Sequence, residues 1–262
     1  MTANTGDNMT RSLVATAASI LSLALGLSQT SAAQAAELQV IAGGGIAVPL
    51  KEIIAQFEGT SGHKIVVRYG TTPELIKMAT TGEPFDLGVM PQDVYKDAAA
   101  RAQFAAGPLP EVARVGLAVA VRAGSPKPDI GTPEALKQTL LKAKSIASIP
   151  ASATGTQLSA VYEQLGITEP MKAKIMVQAT PAQIVDAVAR GDAELAVFLV
   201  NVLTDPRLDV VGQFPAEVQR NVVYATGINA NSKQGDAAKA FVAYLMSPAG
   251  AAVLRAKGMT PG

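Results

Sequence analysis

From Glu37 onward, short apolar runs alternate with amphipathic stretches. Residues 38–42 read as a buried strand, Gly43, Gly44 and Gly45 as a turn, and Ile46, Leu50, Ile53, Ile54 and Phe57 recur at helical spacing. The scheme repeats at once: a strand over 64–69, a turn at Gly70, Thr71 and Thr72, a helix over 73–81, and a third strand over 86–90. Strand-helix alternation of this kind predicts an α/β fold with a largely parallel sheet.

The middle of the chain predicts a second set of units. Strands are expected over 115–121, 145–149, 174–177 and 195–199, with helices over 133–141, 156–165 and 181–190. The chain then returns through a strand over 222–228 and ends in helices over 237–245 and 248–256. This pattern reads as two lobes, residues 36–114 with 222–262 forming the first and residues 115–221 the second. The long apolar segments around 114–121 and 221–228 are the expected crossings. Four helices start with Ser or Thr before Pro: Thr72-Pro73, Thr132-Pro133, Thr180-Pro181 and Ser247-Pro248. The hydroxyl can cap a free N–H, and Pro at the first helical position gives up a donor that has no partner there. Only Thr72 is expected to lie beside a ligand as well, because it follows a strand end.

The N-terminus adds a compartment. Residues 13–27 are uncharged and small or apolar, Arg11 precedes them, and Ala33 and Ala35 make an A-x-A pattern. That run is shorter than the roughly 20 residues a membrane span needs. Residues 1–35 therefore read as a secretory signal peptide cleaved before Ala36, which places the mature chain in the periplasm. An uncleaved anchor is the alternative, and Met9 is a second candidate start.

Composition narrows the chemistry. With 48% hydrophobic residues among 262, the chain can bury a sizeable core. A net charge of +1 without a basic stripe leaves nothing to neutralise a run of phosphates, so no nucleic acid partner is expected. The absence of Cys and the single His exclude disulfides, thiolate ligands, Cys nucleophiles and multi-His metal sites. His63 reads as a solvated loop residue. No metal and no cofactor are expected.

Three turns have the composition of an anion cradle: Gly43-Gly44-Gly45, Gly70-Thr71-Thr72 and Ala153-Thr154-Gly155-Thr156. Glycine lets N–H groups approach a ligand, Thr adds a hydroxyl, and a helix N-terminus presents unpaired donors with partial positive charge. Any one of them alone reads as an ordinary turn and cap; their recurrence in both halves supports a shared site. None has the spacing of a nucleotide-binding loop. Arg68 follows the same logic as a bidentate carboxylate partner, although strand alternation permits a surface position equally well.

Leader, Val40-Ile41-Ala42-Gly43-Gly44-Gly45, Tyr69-Gly70-Thr71-Thr72, Gly82-Glu83-Pro84-Phe85-Asp86-Leu87, the stretch Gly191 through Val197, and Ala240 through Pro248 resemble, in order, the periplasmic molybdate-binding proteins of ABC transporters. The resemblance implies a two-lobed type II periplasmic binding fold, a small anionic ligand in the cleft, an ABC-type membrane permease as partner, and a monomer. It also implies ligand contacts from Gly44, Gly45, Gly70, Thr71, Thr72, Thr154, Gly155, Thr156 and Leu199. Two of these depart from the family pattern: Gly45 stands where a Ser is usual and Leu199 where a Tyr would align. Both changes remove hydroxyls and are expected to widen the pocket, which favours an organic carboxylate over molybdate. The alternative function is a periplasmic isomerase of an unsaturated, aconitate-type polycarboxylate on the same fold; an α/β protein whose cleft serves another partner is a third reading.

Overall fold

The computed structural model describes Met1, Thr2 and residues 35–262, so the apolar leader at 13–27 lies outside the described residues. The first unit runs β1 (Glu37–Gly43), α1 (Ala47–Ser61), β2 (Lys64–Gly70), α2 (Thr72–Thr80) and β3 (Leu87–Pro91). β1 lies between β2 and β3, parallel to both. Its Leu38, Val40 and Ala42 pack with Leu50, Ile53 and Phe57 of α1, whereas Ile41 points into a second cluster with Leu75, Phe85 and Met90. A strand covered on both faces needs apolar residues at successive positions, which is why Val40, Ile41 and Ala42 run together.

Gly62 ends α1 in the left-handed region, with φ at 74°, and turns the chain back on itself. The turn brings His63 onto Phe57, with ring centroids 5.9 Å apart, and its Nδ1 accepts from the Ala36 N–H at 3.1 Å. His63 is buried, which corrects the expectation of a solvated loop residue.

After the short α3 (Ala98–Arg101), the long β4 (Glu111–Arg122) leads to α4 (Pro133–Lys142) and β5 (Ile146–Ser148). There follow α5 (Ala153–Gln164), α6 (Thr168–Lys172), β6 (Ile175–Val177), α7 (Pro181–Arg190), β7 (Leu195–Leu199) and β8 (Leu208–Gln213). The chain closes with β9 (Asn221–Ile228), α8 (Gly235–Leu245), α9 (Pro248–Ala256) and the two-residue β10 (Thr260–Pro261).

The strand order is β2-β1-β3-β9-β4-β7-β5-β6, with β8 and β10 also on β4. β5, β6 and β7 are parallel, like β1, β2 and β3. The joining strands run antiparallel. Residues 111–116 of β4 pair with β9, while residues 117–122 pair with β7 and β8. One strand thus carries both groups. The sequence pattern leaves β8 unpredicted because Asp209 and Gly212 interrupt its apolar run.

Three of the four Ser/Thr-Pro pairs cap as expected: Thr132, Thr180 and Ser247 accept from the N–H groups of Ala135, Gln183 and Gly250. The fourth, at α2, does not.

Candidate functional site

In a parallel unit each strand feeds the N-terminus of the next helix, so these termini collect beyond the carboxyl ends of the strands. Four of them ring one cavity of about 600 Å³: the Gly43–Gly45 turn entering α1, the Gly70–Thr72 turn at α2, Ser152–Thr154 at α5 and Thr180–Ala182 at α7. First-turn N–H groups have no intrahelical acceptor. Those of Thr72, Ala153, Thr154 and Ala182 have no hydrogen-bond partner among the described residues. With the partial positive charge of each helix end, they can hold an anion without a cationic side chain. The walls between them are apolar, formed by Val48, Ile149, Val185, Phe198 and Val202.

The second turn exchanges the expected roles of its threonines. Thr71, not Thr72, precedes α2, and both its N–H and its hydroxyl donate to Glu74 Oε2, at 2.7 and 2.8 Å. The backbone bond, then the hydroxyl bond, holds the Glu74 carboxyl below its ordinary range. Glu three residues after Thr71 completes a capping box, which starts the helix one residue before the Thr-Pro pair would. Thr72 is therefore inside the helix, with its Oγ1 buried and unpartnered among the described residues. Tyr69, on the same wall, also has an unpartnered hydroxyl, and burial pushes its phenol up to about 12.

The first turn is crowded rather than open. A Cβ on Gly45 would collide with Tyr224 Oη and lie 2.6 Å from Leu199 Cδ1; one on Gly43 would lie 2.9 Å from Tyr224 Cε1. Leu199 is fully buried beneath Gly45 and does not reach the cavity wall. The expected widening at Gly45 and Leu199 is thus corrected, because Leu199 and the Tyr224 ring occupy that space. Across the cavity mouth, a Cβ on Gly44 would meet Pro181 Cδ at 3.3 Å, and Asn201 Nδ2 donates to the Gly45 carbonyl at 2.7 Å. The turn before α1 and the segments around α7 and β7 are in direct contact.

A family model described as bacterial extracellular solute-binding protein matches residues 38–260. The chain belongs to that family. Its members are periplasmic binding proteins that serve ABC transporters. This solute-binding protein is 32% identical over 232 residues to an aconitate isomerase of Pseudomonas sp, covering 86% of this chain and 87% of that one. It is 31% identical over 245 residues to the molybdate-binding protein ModA of Azotobacter vinelandii, covering 87% and 91%. Among solved structures, the Azotobacter vinelandii periplasmic molybdate-binding protein superposes with a TM-score of 0.70 at 19% identity, covering 86% of this chain and 99% of that one. The sulfate-binding protein SubI of Mycobacterium tuberculosis H37Rv gives 0.69 at 14%, covering 86% and 87%. The shared fold is the two-lobed type II periplasmic binding fold.

Of the residues the sequence singles out, Gly44, Gly45, Gly70, Thr71, Thr72 and Thr154 line the cavity of the solute-binding protein. Arg68 does not. It pairs with Glu83 and donates to the Pro84 carbonyl at 3.0 Å, because alternation along β2 sends it away from the face that carries Tyr69. Gly155 and Thr156 also stand outside the lining, since α5 begins at Ala153, capped by Ser152, rather than at Thr156. The Gly155 N–H donates to Ser152 Oγ at 3.1 Å and the Thr156 N–H to the Ser152 carbonyl at 3.0 Å. Among the described residues, two cations reach the lining, Lys51 and Arg207; Arg207 is held by Asp186 at 2.7 Å and Asp205 at 2.9 Å.

Sequence reasoning missed Tyr69, Ser152, the Thr180–Ala182 terminus and Tyr224. Thr180-Pro181 carried the same signal as Thr72-Pro73, a cap after a strand. Tyr224 carried none, because a Tyr within an apolar strand reads as core.

Proposed function

We propose that this protein captures a small organic anion bearing one or more carboxylates and delivers it to a membrane permease, as an exported monomer cleaved before Ala36. The observation that carries this reading is the pairing of unpartnered N–H groups from several helix ends with an apolar-walled cavity larger than a single inorganic oxyanion needs. Carboxylate oxygens take the donors at Thr72, Ala153, Thr154 and Ala182, and the carbon skeleton lies against Val48, Phe198 and Val202. Residues 36–114 with 222–262, and residues 115–221, act as the two lobes that close on it.

A thermal-shift titration tests the proposal. A ligand specific to the folded state stabilises it by about 2.7 kcal/mol at a hundredfold excess over Kd. Citrate, trans-aconitate or succinate is expected to raise Tm clearly, while molybdate and tungstate do little. Micromolar molybdate binding with no response to the carboxylates would overturn it.

The 32% identity to an aconitate isomerase supports a second reading, in which the cavity moves a double bond by taking a proton from one carbon and returning it at another. Each carboxylate that binds is incubated with protein and followed by proton NMR. Turnover replaces the transport reading; binding without turnover retains it.

A further inference from the structure

Tyr224 is the residue around which the first turn is built. It sits inside β9, paired with Pro91 of β3 on one side and Ala113 of β4 on the other, so the sheet fixes its ring. The ring passes under Gly43, and its hydroxyl ends at the place where a side chain on Gly45 would begin. The residue is 2% exposed and lines the cavity; its hydroxyl has no hydrogen-bond partner among the described residues and, unlike those of Tyr69 and Thr72, is not fully enclosed by protein.

Packing alone does not call for that oxygen. Phenylalanine would fill the same space, and the phenol oxygen, which has no protein partner among the described residues and is not fully enclosed, is left open to a ligand. The oxygen faces the same cavity as the free N–H groups of α2, α5 and α7 and the unpartnered hydroxyls of Tyr69 and Thr72.

We propose that Tyr224 donates a hydrogen bond to an anionic oxygen of the bound ligand, and that Gly43 and Gly45 are glycines because any side chain there would displace it. The inference rests on the anion-binding reading given above and adds a specificity-determining residue to it. Burial raises the phenol above its ordinary range, so it is protonated and able to donate at neutral pH. A rigid donor on a central strand discriminates by position. It favours a ligand whose oxygen reaches the Gly45 side while another carboxylate engages the helix ends. A dicarboxylate or tricarboxylate can meet both demands at once.

The test compares wild type, Tyr224→Phe and Gly45→Ala by calorimetric titration with citrate, trans-aconitate, succinate, molybdate and sulfate, and by urea denaturation without ligand. Tyr224→Phe keeps the ring, so its unliganded stability is expected to stay close to wild type, while affinity for the ligand that binds wild type falls about ten- to hundredfold. Affinity within twofold of wild type would overturn the role given to Tyr224. Gly45→Ala is expected to lose both stability and affinity, and to lose less stability when made in the Tyr224→Phe background. Equal losses in the two backgrounds would overturn the steric half of the proposal. If wild type answers only to molybdate or sulfate, the carboxylate reading fails, and with it the reach argument, while the Tyr224→Phe titration against that ion still decides whether the hydroxyl touches the ligand. A wild type that answers to none of the five overturns both.

Discussion

Thr71 and Thr72 are neighbours with the same side chain, and the structure separates their work. The Thr71 hydroxyl and N–H are committed to Glu74, whereas the Thr72 hydroxyl is buried against the cavity with no partner among the described residues. Thr71→Ala is expected to cost about 0.5–2 kcal/mol of stability through the lost cap. Thr72→Val should leave stability unchanged or raise it, since it removes a buried polar atom that nothing satisfies, and should weaken ligand binding. Urea denaturation and ligand titration on both variants check this; a Thr72→Val protein as destabilised as Thr71→Ala would show that the two roles are not divided. The sequence does contain the deciding residue. Glu74 stands three positions after Thr71, but the Thr-Pro pair beside it suggests the later start, and only the observed helix shows which of the two signals prevailed.

At the scale of elements, two helix glycines make opposite predictions. Gly155 of α5 packs its Cα against the Pro150 carbonyl, so that a Cβ would overlap that oxygen and lie 2.6 Å from the Ile149 oxygen. Gly155→Ala is expected to destabilise the fold by about 1–3 kcal/mol, because backbone rather than a flexible side chain must yield. Gly59 of α1 has nothing within 4 Å of that position, and Gly59→Ala should stabilise by about 0.4–1 kcal/mol. Melting curves of the pair measure both signs. Most strands and helices were legible because their periodicity is strong: β7 and α7 run as expected, and β1 differs by one residue at each end. α5 starts three residues early because Ser152, a good cap, stands before Thr156. The convergence of four helix ends was only partly legible. Which ends meet depends on the order β2-β1-β3-β9-β4-β7-β5-β6, and hydrophobic period carries no information about strand order.

Across the whole molecule, four tyrosines share one electrostatic condition. Burial raises the phenols of Tyr69, Tyr95, Tyr162 and Tyr224, that of Tyr69 to about 12. In the unfolded chain they lose protons near pH 10, so between that pH and their folded values the native state binds more protons than the unfolded one, and stability falls as pH rises. Full stability is expected below about pH 10, with a steep loss above it that is smaller in a Tyr69→Phe, Tyr162→Phe variant; equal loss in both proteins would assign the alkaline transition to other groups. The strand order has a further consequence, for the time at which this molecule becomes a protein at all. β9 lies between β3 and β4, yet its residues 221–228 come after more than a hundred others have followed β3. Until they arrive, β3 and β4 have no neighbour between them, and the loop to be closed is long. The first half of the sheet, although synthesised first, is completed nearly last. Tyr224 rides on that strand, so the donor that faces the ligand is delivered by the same event that closes the sheet.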